Sequence, residues 1–299
     1  MKIKDSPLRI LFISLNVILL LLVGFICIMP FINMLAISFS SKVAVVTGKV
    51  TFWPVEFTAS AYSFITRSSA FTKALTVSVQ RALLGVTVNI VLIVMTAYPL
   101  SKPKSQFRAR NILSWYFVMT ILFSGGLIPS YMIVRYTNIM DTLFALVLPG
   151  ALPVFSMLVV MNYMRSLPPE LEEAAYIDGA THIQTLLRII LPISTPTIAT
   201  VVLFSFVGHW NSWFDGLIYM NSQDHYPLQS YLHTVVTNPE AFFRNTSNLN
   251  SDLMALFAQV NSRTANAAQL FLATVPILLV YPFLQRYFTT GLVLGSVKG

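Results

Sequence analysis

The chain has 299 residues, of which 56% are hydrophobic and 10% are charged, and its formal net charge is +8. Soluble domains carry roughly a quarter charged residues, so this composition argues against an ordinary soluble domain and indicates a surface that faces lipid. The lysines and arginines are scattered between apolar runs without a dense basic stripe, which argues against nucleic acid as a partner.

Six apolar runs follow one another along the chain. The hydrocarbon core of a bilayer requires about 20 apolar residues per helix. Runs near that length lie at residues 10–39, 82–100, 111–134, 142–164, 195–220 and 267–288. We therefore predict an all-α membrane protein of about six transmembrane helices.

The orientation of these helices follows from the basic residues between them, because lysine and arginine favour the cytoplasmic side. The short connection 101–110 has the highest density of basic residues, which predicts that it and both termini are cytoplasmic. The predicted organisation is a cytoplasmic start and first helix at 1–39, an extracellular loop and helix at 40–81, a transmembrane core at 82–290 that contains the cytoplasmic loop 165–189, and a cytoplasmic tail at 291–299.

Three of the predicted spans contain helix-breaking residues. Glycine and proline interrupt span three at 124–129 and span four at 149–153, and span six contains Pro276 and Pro282. Proline removes a backbone donor and glycine weakens a helix, so we expect these helices to be bent or locally unwound. Ordinary helix packing is the preferred explanation for Pro276 and Pro282, whereas in spans three and four we favour the wall of a pathway.

The cytoplasmic loop between spans four and five has the pattern of a capped helix followed by a turn. Pro168 and Pro169 open the helix, and the glutamates of its first turn complement the helix dipole. Gly179 permits a sharp turn. One face of the helix, by the i, i+3, i+4, i+7 spacing, carries Leu171, Ala174, Ala175 and Asp178. This face suits docking against a basic protein surface, and a capped helix on the membrane interface explains the pattern equally well.

The same loop resembles a known signature. The groups Glu173-Ala174-Ala175, Asp178-Gly179-Ala180 and Ile190-Leu191-Pro192 resemble the EAA signature of bacterial ABC-importer permeases. Residues 123–129, 281–288 and 295–299 resemble the maltose-type, carbohydrate-uptake branch, and within it permeases that import complex oligosaccharides in Gram-positive bacteria. The chain departs from the pattern at Ser156, where asparagine is common, and at Tyr176, where a basic residue or methionine is frequent.

The resemblance implies a type I ABC-importer permease fold in the bacterial cell membrane and half of a translocation pathway for an oligosaccharide. It implies four kinds of partner: a second permease subunit, a cytoplasmic ATPase dimer, an extracellular solute-binding protein and membrane lipid. ATP and Mg²⁺ belong to the ATPase, and no cofactor is expected in this chain. The residues implied to contact the ATPase are Glu170, Glu173, Ala174, Ala175, Asp178 and Gly179.

Span five contains polar and aromatic residues near its predicted outer end. Intramembrane ionisable residues usually face a cavity, and tryptophan rings stack on sugar rings. If the helix continues here, Trp210, Trp213 and Phe214 share one face, and Asn211 and Asp215 form a polar edge beside it. We therefore predict that Trp210, Asn211, Trp213 and Asp215 line a substrate pathway. An interfacial aromatic belt is the alternative.

The outer loop 221–266 is long and polar, and the resemblance implies that it meets the binding protein. His182, His225 and His233 have no metal-ligand spacing, so no metal site is predicted. We interpret them as solvated surface residues.

Two other classes of function compete with an ABC permease. A proton-coupled secondary sugar transporter usually carries buried charges, and the predicted spans are nearly free of them apart from Asp215. A membrane enzyme would require a catalytic cluster, which the inner loops lack, and the chain has no phosphate-binding G-x-x-x-x-G-K-[ST] loop. We therefore expect a transport subunit whose partner hydrolyses ATP.

Overall fold

The computed structural model describes residues 6–237 and 259–296, with side chains up to residue 282. The described residues contain helices and no strands. In chain order, the α-helices of the described residues begin with α1 Pro7–Ser38, α2 Lys42–Val46, α3 Ser60–Arg67, α4 Ser69–Ser101, α5 Arg110–Leu122, α6 Leu127–Tyr136, α7 Leu143–Val147 and α8 Val154–Ser166. The remaining ones are α9 Glu170–Ile177, α10 His182–Thr185, α11 Leu191–Ile193, α12 Thr195–Asn211, α13 Phe214–Tyr219, α14 Leu228–Thr237 and α15 Ser262–Ser296.

The described residues also form short 3₁₀ turns at Leu148–Gly150 and Gln223–His225 and a π-helical turn at Leu186–Ile190. Within this part of the chain, three stretches are long and apolar enough to cross a bilayer as single helices, namely α1, α4 and the first 21 residues of α15. Three bent pairs add up to three more crossings, which gives up to six. The predicted all-α membrane fold is therefore confirmed.

The breaks in spans three and four lie where the sequence predicts them. The bend between α5 and α6 is 114°, and Gly126 precedes α6 with a φ of +83°, a conformation that L side chains rarely adopt. The bend across Pro149 and Pro153 is 51°. In contrast, α15 continues through Pro276 and Pro282 without interruption, so the local unwinding that was expected there is absent.

Helix α4 begins at Ser69, well before the apolar run that predicted it. Arg81, the last residue of the predicted extracellular loop and helix at 40–81, therefore lies inside a helix that continues to Ser101. Arg81 is only 2% exposed, so its guanidinium is buried inside the protein. A prediction from hydropathy ends a span at a charged residue. The helix itself continues through Arg81, because the charge of this residue is paired inside the protein.

The described chain forms two compact units. The first comprises Met1–Ser69 and Thr234–Thr274, and in it Ile37, Val45 and Ala267 form a small buried cluster. The second comprises Ala70–His233 and the chain from Val275 onward. Its main core joins α4, α8 and α12, and the buried members include Ile93, Ala97, Met157, Val160, Ile190 and Val201. Both functional regions described below lie in this second unit.

Candidate functional site

A cavity of about 450 Å³ lies between α4, the break that separates α7 from α8, α12 and α13. This volume is in the range of small-ligand sites. Its polar lining consists of Arg81, Asn89, Ser156, Ser205, His209, Ser212, Asp215 and Tyr219. The Ser205 hydroxyl and the Arg81 Nε are buried beside the cavity without a hydrogen-bond partner in the protein.

The cavity forms where helices are interrupted, and side chains of α4 bind the carbonyls that the breaks leave free. Asn89 Nδ2 donates to the Gly150 carbonyl over 3.3 Å, and Arg81 Nη1 donates to the Ser212 carbonyl over 3.2 Å. Irregular backbone at membrane depth is stable only where protein or a polar cavity satisfies it. These contacts explain how the breaks predicted from glycine and proline are held.

Arg81 and Asp215 form a two-pronged ion pair in the wall of the cavity. The Nη1–Oδ1 distance is 3.1 Å, and Nη2 contacts Oδ2. Asp215 also accepts hydrogen bonds from the Ser212 hydroxyl and the Gly216 amide, each 2.9 Å long. Asp215 therefore lines the cavity, and its carboxylate already has partners within the protein. Arg81, which lies just before the predicted span two, therefore pairs with the charge that the sequence places in span five.

A second polar bridge joins α4 to α12, since His209 Nε2 lies 3.0 Å from Asn89 Oδ1. The imidazole occupies the space next to Gly85, and a Cβ at that position would collide with it. Only glycine at residue 85 therefore permits this close approach of the two helices.

We predict that Gly85→Ala displaces His209 and destabilises the protein by about 1–3 kcal/mol, the usual cost of overpacking. Gly208→Ala is the matched control, because a Cβ there meets nothing within 4 Å and alanine favours a helix by up to about 1 kcal/mol. Thermal unfolding of both variants in detergent measures the difference. Equal melting temperatures for the two would contradict the close approach.

The other three residues of the predicted pathway do not line the cavity. Helix α12 ends at Asn211 and α13 begins at Phe214, so the prediction that the tryptophans share one helical face is wrong. Trp210 is 2% exposed and stacks on Phe206, whereas Trp213 is 40% exposed and stacks on His233 at a ring distance of 4.1 Å. Asn211 is exposed. The stacked His233 is thus not the free surface residue that was expected.

The sequence nevertheless contained a signal for the residues that were missed. Asn89, Ser156 and Ser205 are polar positions inside apolar runs, and all three are buried in the cavity wall. Ser156, noted above only as a departure from the family pattern, is one of them. A buried polar group requires a partner, so such positions mark an internal cavity.

The loop 165–189 forms the capped helix and turn that its pattern predicts. Pro169 precedes α9, three glutamates occupy the first turn of α9, and Gly179 has a φ of +79°. Thr181 and Gln184 then form a capping box at the start of α10. The Tyr176 hydroxyl lies 2.8 Å from His182 Nδ1, which links the two helices. His182 therefore has a structural contact and is not simply solvated.

Helix α9 presents most of its predicted contact residues to the outside. Those exposed are Glu170, Glu173, Ala174, Asp178 and Gly179. Ala175 is 5% exposed, so the outward contact expected of its side chain is wrong, and it does not share an environment with Ala174. A residue that the sequence analysis did not select, Ile177, is 86% exposed. The outer surface of α9 is therefore acidic, with Ala174 and Ile177 as exposed apolar side chains.

Glu172 points to the inside of the loop and forms an ion pair with Lys102, the residue that follows α4. The Lys102 ammonium also lies 3.8 Å from the centre of the Tyr98 ring. Burial lowers the pKa of Lys102, and the carboxylate of Glu172 acts in the opposite direction. Neither residue was predicted to matter, because they are 70 positions apart in the sequence.

Among the residues that the structure describes, no three His, Cys, Asp or Glu side chains lie close enough together to hold a metal ion. His225 instead contacts Asp141, with 2.9 Å between Nδ1 and Oδ1. Helices that can cross a bilayer, a polar cavity at their breaks and an exposed acidic loop together define a membrane transport subunit.

Comparison with known proteins identifies the family of this subunit. No family model matches the chain. Protein LplC of Bacillus subtilis (strain 168) is 37% identical over 284 residues, which are 95% of this chain and 94% of that protein. The polygalacturonan/rhamnogalacturonan transport system permease protein YtcP of the same organism is 35% identical, with coverages of 94% and 96%.

Solved structures agree with these relatives. A chain of a bacterial ABC transporter involved in the import of the acidic polysaccharide alginate has a TM-score of 0.86 and 28% identity, with 96% of this chain and 100% of that chain covered. A chain of the alginate ABC transporter in complex with an alginate pentasaccharide-bound periplasmic protein has a TM-score of 0.56 and 15% identity, which shows the fold alone. The chain therefore belongs to the permease subunits of ABC transporters, and it is an integral membrane protein. This membership confirms a transport subunit and replaces the enzyme and proton-coupled alternatives.

Proposed function

We propose that the chain forms half of the translocation pathway for an oligosaccharide that an extracellular binding protein delivers. The observation that carries this proposal is the polar cavity at the helix breaks. Sugar hydroxyls both donate and accept hydrogen bonds, so they suit a wall of guanidinium, amide, imidazole and hydroxyl groups. A second homologous permease would supply the other half.

The second part of the proposal is that α9 is the coupling helix of an EAA loop and contacts a cytoplasmic ATPase dimer, which carries ATP and Mg²⁺. The outward residues Glu170, Glu173, Ala174, Asp178 and Gly179 would form the contact. Their acidity suits a basic surface on the ATPase. This arrangement requires the loop 165–189 and both termini to be cytoplasmic, as the basic residues of 101–110 indicate.

Several observations on relatives support these partners and the kind of substrate. The relative YtcP transports polygalacturonan or rhamnogalacturonan, and the structural neighbour imports alginate. A neighbour of the same fold was solved with a periplasmic binding protein loaded with an alginate pentasaccharide. An oligosaccharide delivered by a binding protein is therefore the substrate that we propose here.

Reconstitution tests the proposed function. The chain, its partner permease, the ATPase and the binding protein are placed in proteoliposomes, and uptake of labelled oligogalacturonate, alginate oligosaccharide and neutral arabino-oligosaccharide is measured. We expect uptake of at least one of them only with ATP and the binding protein, and ATP turnover only when the ATPase is present. ATP hydrolysis by the purified chain alone, or uptake driven by a proton gradient without ATP, would contradict the proposal.

A further inference from the structure

The contact between Glu172 and Lys102 joins the proposed coupling helix to the long helix that lines the cavity. Glu172 lies on the inner side of α9, opposite the exposed carboxylates of Glu170 and Glu173. Its partner Lys102 is 8% exposed and lies against the Tyr98 ring, one turn earlier on α4. Both charges are thus largely removed from water. In such a buried position an ion pair is screened little, and the loss of one partner leaves an uncompensated charge.

The end of α4 at this contact is held on other sides as well. Arg165 Nη2, at the end of α8, donates to the Leu100 carbonyl over 3.1 Å. Arg110 Nη1, at the start of α5, donates to the Lys102 carbonyl over 3.1 Å. The last carbonyls of α4 therefore have fixed partners, and the free ends of a helix are stable only with such partners. Glu172 joins α9 to this set through its ion pair with Lys102.

Helix α4 is a continuous helix of 33 residues that runs from this contact past the cavity. At 1.5 Å per residue, Asn89 lies roughly 20 Å and Arg81 roughly 30 Å along the helix from Lys102. Asn89 bridges to His209 and Arg81 bridges to Asp215, so the same helix carries both polar bridges of the cavity wall. The other walls come from helices that are interrupted, whereas α4 is continuous.

We propose that Lys102 and Glu172 are positioning residues that transmit the movement of α9 to the cavity through α4. The inference rests on the proposed function, since it requires that an ATPase moves α9. When α9 is displaced, its ion pair with Lys102 displaces the end of α4, and the continuous helix moves Arg81 and Asn89 relative to Asp215 and His209. Breaking the pair leaves α9 able to contact the ATPase but removes its ion-pair link to α4.

The test measures whether nucleotide changes access to the cavity and requires no sugar. A single cysteine is placed in the cavity as Ser205→Cys in a Cys27→Ser background, and the full transporter is reconstituted with its partner permease and ATPase. The rate of modification by a small thiol reagent is compared without nucleotide and with ATP plus vanadate. With Lys102 intact we expect the two rates to differ, and in Lys102→Ala the ratio of the rates should approach one, a loss of about fivefold or more.

The controls separate transmission from folding. Lys104→Ala removes an exposed lysine two residues away and should keep the ratio, as should the conservative Lys102→Arg. Lys102→Glu and Glu172→Lys should each lose the response, and the double variant should recover part of it. All rates are normalised to assembled complex, so a purely structural role would lower assembly and leave the ratio unchanged, which would overturn the inference.

The proposed function fails in a different way. Glu173→Lys alters the outer face of α9 and leaves the Lys102 contact in place. If Glu173→Lys removes the nucleotide response and Lys102→Ala does not, α9 is the coupling helix and our inference about α4 is wrong. If neither variant changes the response, the assignment of α9 to the ATPase is itself wrong.

Discussion

Glu173→Lys is expected to abolish the stimulation of ATP turnover by the loaded binding protein, and to lower uptake in proteoliposomes by about thirtyfold or more. The carboxylate of Glu173 is exposed in the first turn of α9, where it would meet a basic surface of the ATPase. Loss of one partner of a buried charge pair at an interface costs roughly 2–5 kcal/mol, and reversal adds repulsion. Co-purification of the ATPase should weaken in parallel.

A variant that keeps the helix separates the interface from the helix itself. Lysine in the first turn also opposes the helix dipole, which costs about 0.3–1 kcal/mol. Glu173→Gln removes the charge with little change in helix propensity, so it should reduce stimulation less than Glu173→Lys but clearly below the wild-type chain. Full stimulation in both variants would end the proposal that this face binds the ATPase.

Glycine positions in the sequence predicted those parts of the fold where a single residue determines the backbone conformation. Gly126 adopts a positive φ at the start of α6, and Gly179 does so after α9, as expected where only glycine is relaxed. The end of α12 was missed, because the segment Asn211-Ser212-Trp213 contains neither glycine nor proline. That break depends on tertiary contacts, among them the hydrogen bond from Arg81 to the Ser212 carbonyl, which a local pattern does not contain.

The sequence also did not predict which side chains of α9 face the protein interior and which face outward. The spacing rule places Ala174 and Ala175 on one broad face, yet Ala174 is exposed and Ala175 is buried. The rule gives relative angles around a helix, and which angle faces inward depends on what the helix packs against. Here Glu172 sets that angle through Lys102, a contact between residues far apart in the chain.

The residues of the candidate site were also predicted only in part. Asp215 was found because a charge in an apolar span is rare, and Arg81 was missed because the same rule ends a span at a charge. The two residues together are electrically neutral and lie in one cavity wall. A pattern based on single residues treats each as an anomaly, whereas the pair explains why both are tolerated. We therefore expect that mutation of one member of the pair destabilises the protein more than mutation of the other.

Asp215→Ala is expected to damage the protein far more than Arg81→Met. The side chain of Arg81 is 3% exposed and that of Asp215 is 23% exposed. Arginine stays protonated in proteins, so removing Asp215 leaves a buried positive charge, at a cost of about 3–5 kcal/mol. A carboxylate without Arg81 retains the Ser212 and Gly216 donors and can bind a proton, so Arg81→Met should cost less. Thermal unfolding and the yield of assembled transporter measure this order.

The double variant Arg81→Met with Asp215→Leu separates stability from transport. Replacing both charges of a buried pair by apolar side chains is often neutral for stability, because no charge remains without a partner. We therefore expect assembly to recover to near the wild-type level. Oligosaccharide uptake should stay low, because the cavity wall loses its guanidinium and carboxylate and with them the polar groups that a sugar would meet. If the double variant transports normally per assembled complex, this pair serves folding alone, and the pathway does not use this wall of the cavity.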